Sequence, residues 1–310
     1  NNFSNPKFED ECRFNLNNIL AKKRAITLYF TNEINSAVKK QILAIQEGKI
    51  FIAYNSVSQA KKIIESLEES LRKECAILCS QSSTESAKPF YNELDEVFSL
   101  PKRINFVTSS FFAGIDIQDS YHLITVSNTK KAYQALGINK ITQIYGRCRI
   151  KDGILSDTII YNTTDYEPKF KRSTAKYRDT LIKKANKVLD VIKAADIIQE
   201  KDKDLEDLFK VVKKAIHEKG IETPFRGQPI PLTRETIKEG KYGIAYLNID
   251  FLTEREQLFN ELYVNQEKLY KALISEGHQV TQIEYQDNRT QEERQREKEL
   301  EDQIQENSKE

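Results

Sequence analysis

The 310-residue sequence holds no methionine and no tryptophan. Methionine is missing even at position 1, which points to a fragment of a longer chain or to residues lost from the sequence; the second case would shorten local spacings by one. No apolar stretch approaches the roughly 20 residues that a membrane helix needs, and the amino terminus has no signal-peptide layout, so a soluble protein is expected. Histidine and cysteine are scarce. His122, His217 and His278 with Cys12, Cys75, Cys79 and Cys148 make no paired metal-ligand pattern. Ordinary thiols in a reduced, cytoplasmic protein are the expectation, with no metal site. Excess charge is missing too: 48 basic against 47 acidic residues leave +1, so any surface for a polyanion must be local. There is also no phosphate loop, because Gly48-Lys49 and Gly240-Lys241 are followed by Ile50 and Tyr242 rather than by Ser or Thr. Asp95-Glu96 follows Tyr91-Asn92-Glu93-Leu94 instead of a buried strand, which argues against a metal-binding acid pair.

What is present is globular and highly charged. Apolar residues make up 39% of the chain and charged ones 31%, with a mean hydropathy of -0.61, a balance that suits one or two domains carrying long solvated helices. Residues 1–24 are polar and Asn-rich and read as a connector. Short apolar runs then recur: 25–31, 50–54, 76–79, 104–108, 122–126 and 158–161 read as strands. Helical periodicity fills 35–46, 58–71 and 140–148, and a further helix is expected in the polar stretch up to Val97. Alternation at this interval predicts an α/β domain over 25–165, a parallel sheet with helices on both faces joined by right-handed crossovers. Ligands of such sheets sit at the carboxyl ends of the strands, where the candidate site residues are expected to cluster.

Four polar segments stand out along this domain. Ser56 and Ser58 come after the second run, where the plain reading is helix capping. In Val107-Thr108-Ser109-Ser110 small hydroxyls follow a buried strand, so amides and hydroxyls can approach a phosphodiester, or can simply cap a helix. Gly114-Ile115-Asp116 offers close backbone approach and a carboxylate able to accept from a ribose hydroxyl, or an ordinary turn. Thr142-Gln143-Ile144-Tyr145-Gly146-Arg147-Cys148-Arg149-Ile150 places two guanidiniums on one short element, enough to neutralise charge on a transferring phosphoryl group, or to sit on a helix surface.

Taken together and in order, Ser56, Thr108, Gly114, Asp116, Gln143, Gly146, Arg147 and Arg149 resemble motifs IV, V and VI of the superfamily 2 helicases over residues 25–165. Only the second, carboxyl-terminal RecA-like motor lobe of that family is represented. The resemblance implies that Ser56, Thr108 and Ser109 hold a nucleic-acid backbone, that Gly114, Asp116 and Gly146 border the nucleotide, and that Gln143 couples nucleotide state to lobe position. It assigns the arginine finger to Arg147 or Arg149, reaching ATP and Mg2+ bound mainly on a separate upstream RecA-like lobe. The commoner motif VI is Gln-x-x-Gly-Arg-x-x-Arg; here the second arginine comes one residue early, a form similar to the viral origin-binding helicases. The implied activity is an ATP-dependent DNA helicase or translocase, a hydrolase inactive in this chain alone, with DNA replication or mobile-element proteins as further partners. The competing class is a non-catalytic module that binds nucleic acid or a replication partner.

Beyond 165 a mostly helical extension is expected over 166–285. Lys169, Lys171, Arg172, Lys176, Arg178, Lys183, Lys184 and Lys187 stand against the lone acid Asp179. Lys183, Lys184 and Lys187 are therefore candidates for phosphate-backbone contact, with a solvated helix face as the alternative. Helical pattern continues through Ile198 and again over 205–217; 223–231 reads as a linker, 242–249 as strand or helix, and 252–277 as one amphipathic helix. Residues 286–310 read as a charged helical or disordered tail.

Overall fold

The computed structural model describes residues 23–164, 173–201, 206–223, 226–236 and 241–284. The connector reading for the first residues, Lys169, Lys171, Arg172 and the tail from Gln286 lie outside them. The described residues form two compact units, one of 23–164 with 265–284 and the other of those between 173 and 264.

The first unit is built on a seven-stranded sheet. In chain order its elements are β1 (Ala25–Phe30), α1 (Ile34–Ala44), β2 (Lys49–Ala53), α2 (Val57–Glu65), β3 (Cys75–Leu78), β4 (Ile104–Val107), β5 (Tyr121–Ser127), α3 (Ile138–Tyr145) and β6 (Ile154–Tyr161). All strand pairs in this sheet are parallel, and the spatial order is β3-β4-β2-β5-β6-β1, with one further strand beyond β1. Strands read from near-continuous apolar runs should be covered on both faces, and Ile50, Phe51, Ile52 and Ala53 of the central β2 are all fully buried. Helix α1 buries Ile34, Ala37, Val38 and Ile42, the stripe of a 3.6-residue period, and shares one core with Ala60, Ile63 and Ile64 of α2 and with Ile50 and Ile52. The crossovers from β1 to β2 and from β2 to β3 run one way along the sheet and that from β5 to β6 the other, so right-handed connection puts α3 on the opposite face.

Several sequence expectations are corrected. The helix expected up to Val97 is a single turn, Thr84–Ala87. Pro89 cannot continue it, and Asp95 Oδ1 instead accepts from the amides of Val97 and Ser99 in a turn. Helix 58–71 stops at Glu65, where the Ser66 amide and hydroxyl both donate back to the Ile63 carbonyl of the last turn. The long helix of 252–277 is three pieces. Helix Tyr246–Gln257 runs into a wide π turn, Leu258–Leu262; the chain breaks at Tyr263, and Asn265 caps a new helix, Gln266–Ser275, by accepting from the Glu267 amide. Gly277, at φ +86°, then turns the chain into Gln279–Glu284, the seventh strand, which pairs with β1. Residues grouped with the extension in the sequence thus complete the sheet.

The second unit has two long helices, α4 (Thr174–Lys201) and α5 (Glu206–Glu218), followed by short strands β7 (Ile221–Thr223) to β10 (Tyr242–Ile244) and the helix at Tyr246–Gln257, numbered α6. The expected linker over 223–231 is mostly strand, since β7 pairs antiparallel with β8 (Arg226–Ile230), and β9 (Thr233–Glu235) pairs with β10. The undecided 242–249 is both, strand to Ile244 and helix from Tyr246. Leu181 and Ala185 of α4 pack with Ile230, Leu232, Ile249 and Leu252, while Lys183, Lys184 and Lys187 face solvent on the other side. Among the described residues no helix is long and apolar enough to cross a membrane.

Candidate functional site

The candidate residues divide between two ends of the sheet. Ser56, Thr108 and Ser109 follow β2 and β4 and lie at the carboxyl ends, as expected. The other group does not. Ile117 bridges Cys148 in parallel just before β5 and β6 begin, the Ile117 amide donating to the Arg147 carbonyl (2.7 Å) and the Arg149 amide to the Ile117 carbonyl (3.1 Å). Asp116, Arg147 and Arg149 therefore sit on the amino-terminal side of the sheet, roughly 20 Å away along a seven-residue strand. The reason is α3, which carries the chain from the end of β5 back to the start of β6.

At the carboxyl rim, hydroxyl and amide side chains tie the loops together. Ser56 caps α2, accepting from the Gln59 amide at 3.3 Å, and its hydroxyl lies 3.2 Å from that of Ser58. Thr108, buried, donates its amide to the Leu78 carbonyl, and its hydroxyl lies 3.1 Å from Ser110 Oγ. Ser109 is exposed, and its amide donates to Asn55 Oδ1 at 3.1 Å. Asn55 also donates Nδ2 to the Tyr133 carbonyl at 2.7 Å, so one side chain joins the loops after β2, β4 and β5. Sequence reading passed over Asn55; the available signal was an amide directly after a buried strand. Lys183, Lys184 and Lys187 of the basic helix belong to the other unit.

At the amino-terminal side two loops distant in sequence interlock. Arg147, with only 14% of its side chain exposed, donates Nη1 to the Ile115 carbonyl and Nε to the Gln143 carbonyl, both at 2.9 Å. Arg149 is 52% exposed, and its Nε meets Asp116 Oδ1 at 2.7 Å. Gly114 takes φ +78°, where a side chain would be strained, and open space stands where its Cβ would be. Gly146 closes α3 at φ -69°, a conformation that any residue adopts. Gln143 is exposed beside it.

Beneath these loops lies a charged pair that sequence reading also missed. Arg24 and Asp157 are 3% and 5% exposed, and Arg24 contacts Asp157 Oδ2 through Nε at 2.7 Å and through Nη2 at 2.6 Å. The guanidinium also covers the Tyr145 ring at 4.2 Å, which anchors the end of α3. Burial pushes the Asp157 carboxyl above its ordinary range against the pull of Arg24. The same burial raises the Tyr121 hydroxyl, for which no partner stands among the described residues. An acid inside the apolar run of β6 was the signal.

Among the described residues no group of three His, Cys, Asp or Glu side chains is placed to hold a metal ion. Cys75 and Cys79 are buried thiols, and burial pushes Cys75 up to about 12.

Comparison with known proteins adds little. No family model matches the chain, and no curated protein does. Among solved structures it is similar to the crystal structure of T. fusca Cas3 with ADP, at 12% identity and a TM-score of 0.35, over 83% of this chain and 27% of that one. The chain thus spans about a quarter of that protein's length, and a likeness of this size bears on neither function nor site residues.

Proposed function

We propose that this chain is the carboxyl-terminal RecA-like lobe of an ATP-dependent superfamily 2 helicase or translocase acting on DNA. One observation carries the reading: the two segments set apart in the sequence as motifs V and VI are locked to each other by Arg147, by the Ile117–Cys148 bridge and by the Asp116–Arg149 pair. A shared site is what that lock builds. The residues present fit one half of a nucleotide site, with an open glycine, an exposed carboxylate and an exposed guanidinium, and no phosphate loop. ATP with Mg2+ would be held by an upstream lobe, and when bound it supplies the transferable phosphoryl group.

On this reading the two arginines divide the labour. Arg147 uses its guanidinium on backbone carbonyls and positions the loop. Arg149 is held by one exposed carboxylate and is free to exchange that partner for a phosphate oxygen, so it takes the role of finger. The carboxyl rim, with Asn55, Thr108 and Ser109, faces a DNA backbone from the other end of the sheet, which suits contacts made by amides and hydroxyls. Gln143, exposed at the end of α3, reports nucleotide state to the rest of the lobe.

The test joins this chain to a lobe that carries a phosphate loop and measures steady-state ATPase with and without single-stranded DNA. Arg149→Ala should cut turnover by about 10³-fold or more while DNA binding is retained. A loss smaller than about tenfold, roughly 1.4 kcal/mol of barrier, overturns the finger assignment and leaves a non-catalytic nucleic-acid-binding module as the better reading.

A further inference from the structure

The rim that would carry the strand includes an exposed aromatic residue that no motif assigned. Tyr133 lies on a short turn, Ala132–Gln134, in the loop that follows β5, and is 54% exposed between the buried Ala132 and Gln134. A single exposed tyrosine is ordinary on a protein surface. This one is tied at both its backbone and its hydroxyl. Its carbonyl accepts from Asn55, whose other amide atom accepts from the Ser109 amide, and its hydroxyl accepts from Nε2 of the buried Gln134 at 3.3 Å. The loop leading to it is pinned as well: Asn162 Oδ1 accepts from the Thr129 amide at 2.7 Å, Asn128 Oδ1 accepts from the Lys130 amide at 3.0 Å, and the Asn128 amide donates to the Gln134 carbonyl. Two exposed lysines, Lys130 and Lys131, precede it, Lys130 reaching the Asn32 carbonyl at 3.4 Å.

An exposed, hydrogen-bonded aromatic side chain, a basic pair beside it and a neutral hydroxyl-amide rim one side chain away are the parts of a single-strand platform. The cation pair offsets phosphate charge, the rim receives the backbone, and the ring offers its face to a base without reading its edge. Ordering cost is low, because the loop is already tied before any ligand arrives. We propose that Tyr133 is a base-stacking platform for single-stranded DNA lying across the carboxyl ends of β2, β4 and β5, with Lys130 and Lys131 as its phosphate contacts. This deepens the nucleic-acid half of the function proposed above and rests on it, but it is independent of the nucleotide half and of any second lobe.

The absence of tryptophan supplies a clean probe, since Tyr133→Trp places the one indole of the chain on the platform. The full chain is titrated with a thymidine oligonucleotide of about 12 residues, within the span such grooves cover, and with an abasic deoxyribose-phosphate chain of equal length. Indole fluorescence should be quenched by the thymidine strand and not by the abasic one. By anisotropy of labelled strands, Tyr133→Ala should weaken thymidine binding by about fivefold to 150-fold, leaving abasic binding and the salt dependence as in the native chain. Because the side chain is exposed, both variants should retain the native circular dichroism. If the native chain binds both strands but Tyr133→Ala binds thymidine equally well, or the indole is not quenched, the platform is wrong while the nucleic-acid reading stands. If the native chain binds neither strand, the nucleic-acid reading fails and the platform fails with it.

Discussion

Arg147 and Arg149 are separated by a single residue and carry the same charge, yet their surroundings predict different consequences on removal. Arg147 is mostly buried and donates to two carbonyls. A hydrogen bond from a charged donor contributes about 1.5–3 kcal/mol net. The Ile115 carbonyl is partly buried and loses that partner outright in Arg147→Ala, whereas water can replace the bond to the exposed Gln143 carbonyl. The expected cost is about 2 kcal/mol, close to a 30-fold rise in local opening. Arg149 and Asp116 are each about half exposed, so their ion pair is screened and contributes at most about 1 kcal/mol, or fivefold. The loss is local to the bridge, so a local probe reports it most directly. Hydrogen exchange read on the peptides that contain Ile117 and Arg149 follows the bridge directly, since the amides of both residues bond across it. Exchange there should accelerate about 30-fold in Arg147→Ala and less than fivefold in Arg149→Ala. Equal acceleration, or a larger one in Arg149→Ala, would refute the division of roles.

Two further outcomes follow from the same unit. His278 is held below its ordinary pKa of 6.5, first by burial and second by the nearby Arg24 charge; the unfolded chain then binds more protons, so stability is full above 6.5 and falls as pH drops below it. His278→Gln should make the melting temperature less sensitive between pH 7 and 5, and an unchanged pH slope would count against it. At Gly153 an added Cβ would stand 2.7 Å from Cys148 Sγ and 2.9 Å from Ile150 Cβ, so Gly153→Ala should destabilise by about 1–3 kcal/mol in thermal unfolding. Adding Cys148→Ala should recover part of that loss; no recovery would place the strain elsewhere.

The sheet strands were legible because burial on both faces leaves continuous apolar runs, as in Cys75-Ala76-Ile77-Leu78 and Ile50-Phe51-Ile52-Ala53. The seventh strand was not, because Gln279–Glu284 lies at a sheet edge, is largely exposed, and carries polar residues that say nothing without β1 beside them. Turns and hairpins failed for a related reason. Pro229 and Gly227 read as linker chemistry, and only the register of β7 against β8 makes the segment a strand. For the candidate site, residue types and order were legible, but which end of the sheet they occupy was not. Chain order does not state that α3 returns Arg147 and Arg149 to the amino-terminal side, and a contact such as Arg147 to Ile115 spans residues whose local patterns are unrelated.

The pairing of β1 with the strand at Gln279–Glu284 has a consequence for biosynthesis. One flank of β1 is satisfied by β6, but the other waits for a partner about 250 residues further along. At 5–20 residues per second the ribosome takes roughly 12 to 50 seconds to make that stretch. During that interval the outer edge of β1 presents unpaired amides and carbonyls, a template for any other nascent strand. The strand at Gln279–Glu284 thus works as a late seal, and a chain cut short before Gln279 would leave that edge of β1 open to neighbours.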